Sequence, residues 1–524
     1  MTARLIRLHP DDDVAVALSG LPAGTVIGLV DGEPQVLSTR EHPPELGRQL
    51  ADGIGTVGLG AGHKVALREL AEGEPVRKYG QPIGRATRPI DAGEHVHDHN
   101  LGFAPDLAAA PGTSARELDV PDDLPRTFLG YPGGGTRNYV AIVTSVHCAA
   151  STARLIARRF EDGVDGCPNV DGVFAVTHDS GCGMVLGSPG ATIFERTLVN
   201  TARHPNVGAV LVLGLGCEML EAAGLASRIA DEGSDGRPEP RPEVEVLLIQ
   251  ECGGVAATVA AGVDAVRRLA TAANRRVREP IGVDKLTLAV KCGGSDGFSG
   301  ITANPALGHA ADLLVALGGR VVLGETPEIF GAERLLASRA SDPDVGAELL
   351  RRVQWWQGYV ADGQGTLDAN PSPGNHAGGI TTIVEKSLGA VAKAGTSPLR
   401  AVVDYAEPVA AAGLTFMDTP GYDPVSITGM VAGGANVVVF TTGRGSVSGG
   451  RPSPCVKVAT NHALAAKMSG DLDLDAGVVL DGVSVAEFGA AIFRTVVDVA
   501  SGRRTASEQY DADDFVWWHR GALV

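Results

Sequence analysis

The chain has 524 residues, 44% of them hydrophobic, enough to bury substantial cores in roughly two to four domains. A formal net charge of -18 and the lack of a lysine-rich tract exclude a protein built to grip nucleic acid or an anionic membrane, leaving room for a local basic pocket for a small anion. No apolar run is long enough to span a bilayer, and MTARLIRLHPDDDVAVAL has neither a signal-peptide core nor a cleavage site, so a cytoplasmic location is expected.

Residues 1–101 read as a small β-rich domain. Val14 to Leu18, Thr25 to Val30, Lys64 to Leu67 and Pro82 to Ala86 are short apolar segments punctuated by Gly, Pro and Asp turns. Gly62-His63-Lys64 stands directly before one of them. In Glu94-His95-Val96-His97-Asp98-His99-Asn100, period two on a strand places His95, His97 and His99 on one face, where imidazoles can share a metal. A solvated polar edge is the plainer reading of the same run. Residues 102–126, rich in Ala, Pro and Asp without a sustained period, read as a linker.

From residue 127 the pattern becomes α/β, and two domains are expected, 127–279 and 280–524. In the first, Tyr139 to Val146, Gly172 to Thr177, Val207 to Leu213 and Val244 to Ile249 are strand-like. A helix is expected at Ala149 to Phe160 and another after Glu218. The alternation predicts a mostly parallel sheet with helices on its faces. The segment 235–243 reads as an exposed loop. Cysteines recur after the strands: Cys148, Gly181-Cys182-Gly183 and Gly216-Cys217-Glu218. Seven cysteines without a CxxC pair argue for thiols, metal ligands or buried side chains rather than a disulfide framework.

The last domain opens with KLTLAVKCGGSDGFSGITANPALG, Lys285 to Gly308. Leu286 to Val290 predicts a buried strand, Cys292 to Gly297 a glycine-rich turn carrying Cys, Ser and Asp, and Ile301 to Leu317 a helix. An α/β enzyme presents a site at such a strand end; an ordinary βα loop has the same pattern. Arg320 to Gly324 is a strand leading to Glu325-Thr326-Pro327-Glu328. Asn370-Pro371-Ser372-Pro373-Gly374-Asn375-His376 is a rigid turn before a helix at Thr382 to Ala394. Asn436 to Thr441 leads to Thr442-Gly443-Arg444-Gly445, where Arg444 can offer a carboxylate a bidentate fork and Lys457 a second positive charge. Phe515, Trp517 and Trp518 read as a tail docking on the core.

Taken in order, these motifs, with Gly214-Leu215-Gly216-Cys217-Glu218 and Gly300-Ile301-Thr302-Ala303-Asn304-Pro305, resemble the altronate/galactarate dehydratase family over nearly the whole chain. The resemblance implies an N-terminal β-clip (SAF-like) domain before an α/β dehydratase body. The EHVHDHN run resembles the altronate branch; His376 stands where relatives commonly carry Lys. The implied reaction removes the proton α to a carboxylate and then the β-hydroxyl, giving a 2-keto-3-deoxy acid. It needs a base, an acid and stabilisation of an enediolate. The resemblance implies Fe²⁺, with Mn²⁺ as a substitute, and His63, His97 and His99 are the candidate metal ligands. Lys64, His178 and Asp296 are the acid/base candidates. Ser295, Asn304, Asn375, Arg444 and Lys457 are the candidate substrate contacts. The alternative cofactor is an iron–sulfur cluster on Cys148, Cys182, Cys217 and Cys292. Galactarate dehydration, sulfite elimination from sulfolactate and non-catalytic sugar-acid binding are the competing functions. A dimer or larger assembly rests on the resemblance alone.

Overall fold

Two series of short apolar, β-branched runs separated by glycine turns build two parallel sheets, because parallel strands are covered on both faces and need no polar alternation. The computed structural model describes residues 5–30, 33–37, 56–105, 107, 115, 118–231, 241–510 and 515–520. Much of the predicted 102–126 linker and of the predicted 235–243 loop lies outside the described residues.

The N-terminal region is antiparallel, as its short segments with turn residues require. One sheet pairs Leu5–Ile6, Val14–Ala17, Lys64–Ala66 and His95–Val96 in that order. A second pairs Leu101–Gly102, Gln81–Ala86 and Pro75–Lys78, and a third pairs Glu33–Leu37, Leu21–Val30 and Thr56–Leu59. Its apolar face does not close on itself. Val76, Ile83, Val96 and Leu101 belong to one continuous core with Leu288, Leu307 and Val384 of the C-terminal region.

The middle sheet contains β1 (Tyr139–Thr144), β2 (Gly172–Val176), β3 (Val207–Gly214) and β4 (Glu243–Leu248), all parallel, in the order β2-β1-β3-β4. Helices α1 (Ala150–Ala157), α2 (Pro189–Ala202), α3 (Ala222–Ala230) and α4 (Val255–Ala273) connect and flank these strands. The C-terminal tail packs where expected: Trp517 and Trp518 are buried, and Trp518 stacks on Trp356 with ring centroids 5.2 Å apart.

The C-terminal sheet has seven parallel strands: β5 (Thr287–Cys292), β6 (Arg320–Leu323), β7 (Leu399–Val403), β8 (Gly413–Met417), β9 (Val437–Thr442), β10 (Cys455–Ala459) and β11 (Leu474–Asp475). Their order is β7-β8-β6-β5-β9-β10-β11. The chain leaves β5 toward β6, then crosses to β9 on the other side of β5. Loops after β5 and β9 therefore diverge and leave a crevice at the carboxyl ends, where open α/β sheets hold ligands. Five helices matter for what lies there: α5 (Ala303–Ala316), α6 (Pro343–Asp362), α7 (Pro373–Ala377), α8 (Ile383–Val391) and α9 (Asp423–Ala432).

Among the described residues, the backbone overturns the histidine strand. It ends at Val96, after two residues. The Asn100 side chain pulls the chain round: its amide donates to the His95 carbonyl (2.9 Å), and its carbonyl oxygen accepts from the His97 N–H (2.9 Å). The histidines meet through a turn, not through strand alternation.

Candidate active site

The strand β5 carries Lys291 and Cys292 at its end, both buried in a run that is otherwise apolar. A buried lysine needs a partner, and the loop after β6 supplies it. Glu325 adopts the left-handed region (φ +71°), unusual for a residue with a side chain, and its N–H donates to Thr419 Oγ1 (2.7 Å). That conformation turns its carboxylate to two lysines: Lys291 Nζ lies 2.5 Å from one oxygen and Lys393 Nζ 2.6 Å from the other. Lys393 Nζ is also 2.8 Å from Cys292 Sγ, and Lys291 Nζ is 3.0 Å from Asp423 at the start of α9. Burial raises the Cys292 thiol, partly offset by Lys393.

A third pair stands nearer the opening. Lys386, on α8, donates to Glu328 Oε1 and to Asn370 Oδ1, both at 2.9 Å. Burial alone would raise the Glu328 carboxyl, but Lys386 and Lys291 outweigh it and hold it at about 2. Glu328 Oε2 is buried and has no hydrogen-bond partner among the described residues.

These groups border a cavity of about 410 Å³ lined by Gly294, Glu328, Asn370, Asn375, Lys386 and Asp423, among others. It sits over the ends of β5, β6 and β8. The glycines after β5 are required there: a Cβ on Gly293 would lie 2.3 Å from the Asp423 carboxylate. A larger groove of about 650 Å³ runs along the edge of β2 and is lined by none of the sequence-predicted site residues.

Helix α7 joins the cavity to the N-terminal region. Where the sequence reads as a rigid turn, a short helix forms: Ser372 caps it in a reciprocal box with Asn375, and Pro373 occupies its first turn. Asn375 Nδ2 donates to the Ser295 carbonyl (2.8 Å), and the next residue, His376, offers its carbonyl to His97 Nε2 at 2.9 Å. Around that contact the imidazoles gather: the His63, His95 and His97 ring centroids lie 5.1–5.3 Å from one another, and His99 lies 5.5 Å from His95. His63 Nδ1 and His95 Nε2 are 3.1 Å apart. Burial and the neighbouring histidines lower both, His95 to about 4. Neutral rings carry the lone pairs a divalent iron would use, so His63 and His95, with His99 beside them, suit that ion. His97 has both nitrogens engaged, by His376 and by Asp98 Oδ1 at 2.7 Å, and so has His63, by His95 and by the Ala377 carbonyl at 3.4 Å. Cys292, Glu325 and Glu328 also bring ligand atoms within 4.8 Å of one another, but three lysine ammoniums already donate into or beside them. Their negative charge is compensated without a metal.

The remaining predicted residues divide by place. Lys64 is fully buried and donates to Gly379 O (2.7 Å), Thr381 Oγ1 (2.9 Å) and both oxygens of Glu385 (3.0 and 2.8 Å); Lys78 shares that carboxylate at 2.9 Å. Burial, aided by Lys78 and opposed by Glu385, brings Lys64 down to about 8. Asp296 accepts from Ser299, Thr460 and Asn461 and, with Ser295 and Asn304, lines a small enclosed cavity that also touches Lys386. Burial raises its carboxyl. Arg444 is exposed, with its backbone N–H on the Gly294 carbonyl (2.8 Å) at the cavity's rim. Lys457 is buried within β10, away from the cavity lining.

His178 belongs to the other sheet, after β2. Its Nε2 is 2.8 Å from the Thr144 carbonyl, and burial lowers it to about 4, a neutral packed ring. Cys148, Cys182 and Cys217 also lie on that sheet's carboxyl edge, whereas Cys292 ends β5 of the C-terminal sheet. Lys291, Lys386, Lys393, Glu325, Glu328 and Asp423 escaped the sequence reading. Lys291 gave a signal, since a charge inside a run as apolar as Leu286 to Val290 is buried only if paired.

Three family profiles match the chain without overlap. The Altronate/galactarate dehydratase SAF domain covers residues 3–104, the D-galactarate dehydratase/Altronate hydrolase second domain 133–274, and the D-galactarate/Altronate dehydratase C-terminal domain 283–523. The chain is 36% identical to altronate dehydratase of Escherichia coli K12 over 99% of both chains, and 34% identical to altronate dehydratase of Bacillus subtilis 168 over the same shares. It is 36% identical to galactarate dehydratase (L-threo-forming) of Escherichia coli K12 over 97% of this chain and 95% of that one.

Proposed function

The chain belongs to the D-galactarate/altronate dehydratase family, and from that premise we propose that it is a hydro-lyase converting an altronate-type sugar acid to a 2-keto-3-deoxy acid in the cavity over β5, β6 and β8. The observation that carries the reading is the cavity in which Lys386 faces Glu328 and Asn370, on a chain aligned end to end with two altronate dehydratases. Sugar acids present a carboxylate beside a hydroxyl. Lys386 is placed to receive the carboxylate, and Asn370 and Asn375 to orient hydroxyls.

The α-proton is weakly acidic and its removal spreads charge onto the carboxylate, so fixed positive charge stabilises the enediolate. Glu328 Oε2, buried at the cavity and unpartnered, is our candidate to take that proton. A substrate carboxylate drawing on Lys386 loosens that lysine's hold on Glu328 and moves its carboxyl up toward the range of a working base. Lys291 and Lys393 fix Glu325 and Cys292 beneath the cavity and keep its floor rigid. Asp296, with Ser295 and Asn304 around the lower cavity, supports the loop that carries Gly294. Fe²⁺, or Mn²⁺ in its place, would be held within the cluster of His63, His95, His97 and His99, and when bound supplies Lewis-acid polarisation of a hydroxy-acid oxygen.

Galactarate is the second candidate substrate, because a relative acting on it is as identical as the altronate enzyme of the same organism. Assays with altronate, galactarate and sulfolactate under supplied Fe²⁺ rank the three. Altronate is expected to give the highest kcat/KM. Lys386→Met is expected to lower kcat/KM by roughly 10²-fold. Binding of altronate without turnover of any of the three would return the protein to a non-catalytic role.

A further inference from the structure

The middle sheet has its own carboxyl edge, which the proposed chemistry leaves unused, and each of its four strands is followed by a cysteine: Cys148 after β1, Cys182 after β2, Cys217 after β3 and Cys252 after β4. The thiols of Cys148, Cys182 and Cys217 are exposed. Free cysteine is ordinarily among the most buried side chains. Three exposed ones on adjacent strand ends therefore call for an explanation.

The loops that carry them are stitched together. His147 N–H donates to Ser180 O (2.8 Å), and the N–H groups of Met219 and Leu220 donate to Gly181 O (3.1 and 3.3 Å). The loop after β2 thus crosses over β1 to reach the loop after β3, and each of the three cysteines lies within two residues of a stitching bond. Gly181 cannot carry a side chain there, because its Cβ would lie 2.1 Å from the Ser145 carbonyl oxygen. Gly181 and Gly183, flanking Cys182, both have positive φ (+95° and +67°), so the loop turns sharply at that cysteine. The loop after β4 joins one strand further out, through Gln250 N–H on Leu215 O at 3.1 Å.

Two further observations point to a bound group. Val185, Leu186 and Met219, close in sequence to Cys182 and Cys217, are about half exposed, at 53%, 53% and 49%. Ser180 Oγ, on the same edge and buried, has no partner among the described residues. An apolar rim around thiolates sets the dielectric of a metal–sulfur centre.

We infer that Cys148, Cys182 and Cys217 hold an iron–sulfur cluster on the carboxyl edge of the middle sheet. A single tetrahedral ion would draw its sulfurs to about 3.8 Å from one another. Among the described residues, only Cys292, Glu325 and Glu328 bring three ligand atoms within 4.8 Å. The three thiols do not form such a close set, and adjacent strand ends joined by the stitching bonds carry them. Cys292 is excluded from the set by its place, buried at the end of β5 against Lys393.

The test is metal and sulfide analysis of the full chain purified without oxygen, alongside Cys148→Ala, Cys182→Ala, Cys217→Ala and Cys292→Ala. The wild-type chain is expected to carry about four acid-labile sulfides with as many irons, beyond any iron held by the histidines, and a broad brown absorption. The first three variants are expected to lose most of the sulfide and the absorption, and Cys292→Ala to keep them. Because the three thiols are exposed, the thermal unfolding of these variants should match that of the wild-type chain stripped of iron, which separates ligand loss from misfolding. The inference is overturned by a wild-type chain that holds no sulfide even after anaerobic reconstitution with ferrous iron and sulfide. One zinc per chain without sulfide overturns it too, as does sulfide lost in Cys292→Ala but kept in the other three.

Discussion

Glu385 is a single carboxylate asked to satisfy two fully buried lysines, Lys64 and Lys78, from the N-terminal region. Burial pushes its carboxyl up, but the two ammoniums outweigh burial and hold it at about 2, against an ordinary 4.5. The unfolded chain therefore takes up this proton first as pH falls. Glu385 contributes its full stabilisation above about pH 4.5 and loses it as pH drops through about 2, on the order of 3 kcal/mol in all. Replacing it leaves two unpaired buried charges, so Glu385→Gln should cost about 3–5 kcal/mol at neutral pH. Urea unfolding of both proteins across that range should show the gap closing in acid; a gap independent of pH would contradict this account. Nothing near Lys64 in the chain announces its partner, because Glu385 lies 321 residues away. The sequence could nominate Lys64 as reactive, and only the fold shows it pinned by four acceptors.

At the scale of elements, strands and turns were more legible than their partners. The apolar runs at Tyr139, Val207 and Leu286 became β1, β3 and β5 within a few residues, because a strand buried on both faces has few ways to be encoded. The NPSPGN turn became a capped α7 by the same local chemistry. The histidine run failed as a strand because the Asn100 side chain, not the alternation, decides the backbone. Long helices such as α4 and α6 were not assigned, although their flanking Gly and Pro were visible. Helix α5 illustrates what packing adds. A Cβ on Gly308 would lie 2.1 Å from the Ala392 carbonyl oxygen and 2.9 Å from Gly395 N, so α5 touches the turn bearing Lys393 backbone to backbone. Gly308→Ala gains helix propensity yet should destabilise by about 1–3 kcal/mol through overpacking, and displace Lys393 from Cys292. Thermal unfolding and alkylation of Cys292 would report both effects; an unchanged or raised Tm would refute the close-contact reading.

For the whole molecule, the N-terminal region docks on the C-terminal one and completes it. The two share one apolar core, and the histidines of one meet the α7 carbonyls of the other. Composition excluded nucleic-acid partners, and ordered motifs pointed to the family. Neither could assemble the lysine–carboxylate cavity, whose members come from the ends of β5 and β6, from α8 and from the start of α9. The central claim is elimination of water from a sugar acid in that cavity. Its most direct test is NMR of the product formed from altronate in D₂O, with the Lys386→Met chain as the comparison. Loss of the C2 proton and of the C3 hydroxyl, followed by ketonisation, must place a solvent deuteron at C3. A 2-keto-3-deoxy acid carrying deuterium at C3, formed by the wild-type chain and scarcely by Lys386→Met, is the predicted result. No product from altronate or galactarate with Fe²⁺ supplied, or equal product from the two proteins, would contradict it.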